Sequence, residues 1–128
     1  VISFRTSELP AFWSRESGLP APLRLDAPEQ IARHMADRKR MSLGGGVLVA
    51  NPVPAEDAIP ASVIDTHIEA ALAEAAAQGI SGKAVTPFLL GRMVDLTDGA
   101  SLATNKALIL NNARLAGEIA VAAITISQ

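Results

Sequence analysis

The sequence predicts an α/β fold in which helices cover a sheet. Three observations carry this. Segments of strand, helix and strand character are followed by three helical segments, the order of a layered α/β domain. Val47-Leu48-Val49-Ala50 is apolar at every position, which suits a strand covered on both faces. Beyond it, apolar residues recur at the helical spacing of three and four. The 128 residues suit one domain or part of a larger one.

Val1 to Phe4 reads as a short strand. Leu9 to Pro22 carries three prolines and Gly18, and reads as an irregular segment holding Phe12 and Trp13. Leu23-Arg24-Leu25 fits a second short strand. Asp26 is placed to cap a helix, with Pro28 in the first turn and Glu29 three residues on. Ile31 and Met35 share one face of it, and Arg38-Lys39-Arg40 suits the negative end of its dipole.

Gly44 to Ala50 is the clearest strand signal, ended by Asn51-Pro52-Val53-Pro54. Pro60 to Gln78 reads as a helix with Ile64, Ile68 and Leu72 on one side and Gly79 just past its end. Thr86-Pro87 reads as the cap and first position of the next helix, with Phe88, Leu89, Met93 and Leu96 inside and Gly99 as its stop. Ser101 to about Ile126 is the last and longest helix. Leu102, Leu108, Leu115 and Ile119 form its apolar stripe.

Composition excludes several functions. Apolar residues make up 49% and aromatics 3%, so the core is built from Ala, Val, Ile and Leu. The net charge of -2 provides no field for nucleic acid or an anionic membrane surface. No uninterrupted apolar run reaches the roughly 20 residues that span a bilayer. The absence of cysteine removes thiolate catalysis, thiolate metal sites and disulfides, and is compatible with a reducing cytoplasm. A start at Val1, without Met and inside a strand-like segment, suggests a cut or truncated protein.

Few side chains suggest chemistry. Gly44-Gly45-Gly46 precedes a strand, whereas a phosphate-cradling loop follows one, so a tight turn is the simpler reading. His34 and His67 lie on helices with no second ligand at i+4, which argues against zinc. Asp26, Glu56, Asp57, Glu69 and Glu74 read as caps or solvated faces. Lys83, in the loop Gly79-Ile80-Ser81-Gly82-Lys83, could meet either a phosphate or a carboxylate. Asn105, Asn111 and Asn112 are the main polar anomaly, since asparagine is a mediocre helix former on an otherwise apolar helix. Asn105 and Asn112 share a face. An amide there either bonds a neighbouring element or faces a ligand.

Four stretches together resemble the pseudouridine-5'-phosphate glycosidase family, also called indigoidine synthase A-like. They are Thr6 to Ser17 (TSELPAFWSRES), Gly44 to Pro54 (GGGVLVANPVP), Gly79 to Arg92 (GISGKAVTPFLLGR) and Ser101 to Ala120 (SLATNKALILNNARLAGEIA). The resemblance covers essentially the whole chain. It implies a layered α/β/α sandwich, with residues 1–128 as the C-terminal portion of a single domain. It further implies a cytoplasmic homotrimer that reversibly cleaves the C–C bond of pseudouridine 5'-phosphate to uracil and ribose 5-phosphate. That chemistry uses a lysine imine and a divalent metal, typically manganese.

The family's imine lysine, glutamate and metal-linked aspartate precede the Thr6–Ser17 motif. They are expected on an N-terminal portion, as are all the metal ligands, and Lys39, Lys83 and Lys106 are not substitutes. The residue that carries over is Asn105, from Ser-Leu-x-x-Asn in the last helix, as a catalytic residue. A Gly-Tyr pair common before the first motif is Ser3-Phe4 here. The contrasting expectation is a non-catalytic α/β binding or assembly module that uses the same motifs for packing.

Overall fold

The computed structural model describes residues 1–126, so the last two positions of the expected 1–128 unit lie outside the described residues. Three short strands form a parallel sheet in the order β2-β1-β3: β1 (Ile2–Phe4), β2 (Arg24–Leu25) and β3 (Val49–Ala50). Four helices accompany it: α1 (Pro28–Arg40), α2 (Ala61–Ala77), α3 (Val85–Leu96) and α4 (Ala100–Ile126). This is the predicted α/β class.

Side chains alternate across a strand. Ile2 and Phe4 therefore leave β1 on one face and meet Ile31 of α1 and Leu115 of α4, with Leu25, Val47, Val49 and Ile119 around them. Ser3 points to the other face and is fully buried, and its hydroxyl makes no hydrogen bond among the described residues. A glycine there would leave no such orphan. A second core joins α2 to α3 through Ile64, Ala71 and Met93, with Trp13, Ile59, Ile68, Leu89 and Leu96 against it.

Several local expectations need correction. Asp26 does not cap α1. Its carboxylate accepts from Arg24 Nε at 2.8 Å, and Gln30 instead reaches back to accept from the backbone N–H of Asp26 and Ala27 at 2.8 and 3.1 Å. This is the back-reaching half of a capping box, which serves donors just ahead of the helix, whereas a capping Asp would accept from donors inside its first turn. Thr86 is not a cap either. A 3-10 turn over Gly82–Ala84 runs directly into α3, so Thr86 and Pro87 lie within its first turn. Thr97 caps α4, accepting from Ser101 N–H at 3.0 Å.

The helical stripes are also rotated from expectation. Leu72 and Leu102 are exposed, and Ala71, Ala75, Ser101 and Thr104 take the buried positions. Small residues let helices approach closely and displace a leucine to the rim. Gly79 behaves as expected. Its φ is +70°, and Ile80 N–H bonds Ala75 O at 2.9 Å to close the end of α2.

The largest departure is the strand expected from Gly44 to Ala50. Only Val49 and Ala50 pair, and Leu48 is 63% exposed. Backbone bonds run from β3 to β1 on one side, so β3 is an edge among the described residues. An apolar sequence here signals burial that these residues by themselves do not provide. The glycine run turns the chain, with Gly45 at φ +81°.

α4 is 27 residues long, with a mean hydropathy of 1.4 over its most apolar stretch, and only 11% of that stretch is buried. By length and composition it could cross a membrane, although the sequence shows no uninterrupted apolar run. Arg114 and Glu118 stand in its C-terminal half, and a charge near a bilayer centre costs roughly 2.5–3.5 kcal/mol.

One ion pair ties α2 to α3. Arg92 donates from Nε and Nη2 to the two carboxylate oxygens of Glu74, at 2.7 and 3.0 Å. Glu74 is thus a cross-helix clamp and not a free solvated group. The hydrogen bonds from Arg92 hold its carboxyl below the ordinary value of 4.5, against a smaller opposing effect of burial. Because the folded state favours the ionised form, the contribution is present above pH 4.5 and disappears as pH falls through the depressed value. Glu74→Gln should therefore flatten this part of the acid limb in a plot of melting temperature against pH. Identical acid limbs for the two proteins would refute the assignment.

Candidate functional site

Ligands of open parallel sheets bind beyond the carboxyl ends of the strands. In this chain those ends are Phe4-Arg5 after β1 and Asn51-Pro52-Val53 after β3. Between them and α4 lies a cleft of about 270 Å³.

Each wall has a local cause. Arg5 adopts a left-handed φ of 56°, which costs a non-glycine residue about 1–2 kcal/mol. This turn lays its guanidinium 4.7 Å from the centre of the Phe4 ring, while Nε donates to Asp26 O at 3.0 Å. Arg15 arrives from the 9–22 segment and donates through Nη1 to Val53 O. That segment is better ordered than its composition suggests. Leu9 N–H bonds Leu19 O, Ala21 N–H bonds Ser7 O, and the Glu8 carboxylate accepts from Ser17 and Gly18 N–H at 3.1 and 2.9 Å. Trp13 anchors it to the second core, with Phe12 edge-on at 4.8 Å.

α4 supplies the far wall with Asn111, Arg114 and Glu118. Arg114 makes no ion pair or side-chain hydrogen bond among the described residues. Three guanidinium groups and one carboxylate thus line a small cleft in a chain of net charge -2.

The asparagine anomaly now divides. Asn111 Nδ2 donates to Pro52 O at 3.1 Å, and Asn112 Oδ1 accepts from Asn51 Nδ2 at 3.1 Å. Both secure the exit of β3 against α4. Asn105 is half-buried, does not line the cleft, and its amide has no hydrogen-bond partner among the described residues. It follows Thr104, whose hydroxyl donates to Asp57 O at 2.7 Å and fixes the start of α4.

The other sequence candidates stay apart. Lys83 is exposed in the 3-10 turn before α3. His34 and His67 sit on different helices, and no group of three His, Asp or Glu among the described residues could hold a metal ion. Arg38 closes the glycine turn by donating to Gly44 O at 2.7 Å, and Arg40 pairs with Asp37 at 2.6 Å. The basic cluster is therefore a helix end. Sequence reasoning missed Arg5, Arg15 and Arg114, which stand in three separate segments. The break after β1 was an available signal for Arg5, since residues following strand ends define the crevice, whereas nothing local marks Arg15 or Arg114.

A small parallel sheet with helices against it and a polar cleft at its carboxyl ends defines an α/β protein of the kind that takes ligands at its strand ends. Comparison with known proteins makes this specific. Residues 1–122 match the sequence model described as indigoidine synthase A like protein, and the chain belongs to that family. It is 62% identical over 122 residues to the pseudouridine-5'-phosphate glycosidase of Methylobacterium nodulans, covering 95% of this chain and 36% of that protein. It is 58% identical to the protein of the same name from Paracoccus denitrificans, covering 98% and 41%.

Among solved structures, the prealnumycin C-glycosynthase AlnA in complex with ribulose 5-phosphate superposes with a TM-score of 0.87 at 30% identity, covering 98% of this chain and 41% of that one. An indigoidine synthase A-like protein from Thermotoga maritima gives 0.76 at 39% identity, covering 94% and 39%. The chain thus spans about 40% of the length of the relatives it matches.

Proposed function

We propose that this chain is the C-terminal portion of a pseudouridine-5'-phosphate glycosidase, which reversibly cleaves the C–C glycosidic bond to uracil and ribose 5-phosphate. The observation that carries the reading is the 62% identity over 122 residues to a protein of that name. A structural relative that joins a C-glycosidic bond and holds a pentulose phosphate supports it.

A C-glycoside has no leaving oxygen to protonate, so the usual two-carboxylate route is closed. An imine between a lysine and the opened sugar supplies an electron sink instead. In this proposal the lysine comes from the N-terminal portion of the protein. So do the ligands of a divalent metal, manganese by family resemblance, because the family's metal-linked aspartate precedes the Thr6–Ser17 motif. The complete protein is a cytoplasmic homotrimer.

Asn105 is the catalytic contribution of this chain. Its unpaired amide can both donate and accept, with no charge to desolvate. It would hold the substrate or the ring-opened intermediate in reactive geometry.

The complete protein, supplied with manganese, should release uracil from pseudouridine 5'-phosphate, while residues 1–128 alone should release none. Failure of the complete protein would overturn the function. Release by the isolated chain would overturn the division of roles.

A further inference from the structure

We propose that the cleft at the ends of β1 and β3 is a binding site for a phosphate dianion, held by Arg5, Arg15 and Arg114 with the Asn111 amide. Its three cations come from three different elements, and the existing hydrogen bonds leave donors free. Arg5 is fixed through Nε, so both of its terminal nitrogens remain. Arg15 uses Nη1 for Val53 O and keeps Nε and Nη2. Arg114 has no partner at all among the described residues. Asn111 uses one amide hydrogen for Pro52 O and retains the other.

Arginines anchored by one nitrogen are oriented before a ligand arrives, and the guanidinium fork matches phosphate oxygens two at a time. A phosphate monoester carries about -1.5 to -2 charge near neutrality. That balances three guanidinium groups set against the single carboxylate of Glu118. The volume of about 270 Å³ lies below that of sites for drug-sized ligands, and selects a small phosphorylated compound or the free ion.

Titration calorimetry of the complete protein with inorganic phosphate tests the site without any turnover. Saturable binding is expected, roughly ten- to a hundredfold weaker in Arg114→Gln, the range for losing one hydrogen bond to a charged group. Glu118→Gln should bind phosphate more tightly, a gain that damage to the fold cannot mimic. Absence of saturable binding, or unchanged affinity in Arg114→Gln, would overturn the proposal.

The source of the phosphate is read separately, and only this arm rests on the glycosidase reading. If the substrate's own phosphate occupies the cleft, inorganic phosphate competes with pseudouridine 5'-phosphate, and Arg114→Gln raises KM more than it lowers kcat. If a separate phosphate binds, calorimetric binding persists at saturating substrate and KM is unchanged. Either pattern supports the site. Loss of turnover with phosphate binding intact would count against the reaction and not against the cleft.

Discussion

Met93→Ala is expected to destabilise the protein by about 2–5 kcal/mol, the range for emptying a fully buried large side chain. Met93 has no exposed surface and touches the centre of the core that joins α2 to α3. Ile64 and Ala71 face it from α2, and Trp13 closes the core from the 9–22 segment. Rigid packing around a removed thioether leaves a cavity that the helices cannot fill without shifting. The same segment carries Arg15, so loosening this core should also reach the cleft wall. Denaturant melts of the parent and variant measure the cost. Met41→Ala is the comparison, because Met41 is 62% exposed and its change should stay within roughly 0.5 kcal/mol. Similar losses for the two variants would show that Met93 is not at a packed centre.

Asn105→Ala in the complete protein should lower kcat by roughly ten- to a thousandfold with little loss of stability. That is the scale of removing one oriented hydrogen bond from a transition state, about 1.4–4 kcal/mol. Alanine is the best helix former, so α4 should persist. Asn112→Ala separates structure from chemistry. It deletes the bond from Asn51 Nδ2 and should cost about 0.5–1.5 kcal/mol of stability. Parental turnover in Asn105→Ala would show that the wrong asparagine was chosen. A fall in melting temperature that accounts for the lost activity would return Asn105 to a packing role.

Much of the architecture was legible in the sequence because it is set by neighbours along the chain. Helical spacing located α1, α2 and α4 to within a residue or so. Gly79 and Gly99 marked helix ends because both adopt a left-handed φ, +70° and +82°, that other residues resist. The family motifs were equally legible, being runs of consecutive residues. Caps were less so. Gln30 closes the start of α1 in place of Asp26, and Thr97 rather than Thr86 serves as a cap, but at α4 and not at α3, because which side chain meets a free N–H depends on how the chain enters each helix.

The tertiary structure alone decided which groups meet. Asn105, Asn111 and Asn112 look alike on one helix, yet Pro52 O and Asn51 stand opposite only two of them. Arg5, Arg15 and Arg114 are far apart in sequence and converge because the end of β1, the 9–22 segment tied to Val53 O through Arg15, and α4 all border one cleft. Leu48, apolar in a run that reads as a buried strand, is exposed because sequence fixes a side chain's preference for burial, while its cover must come from an element elsewhere.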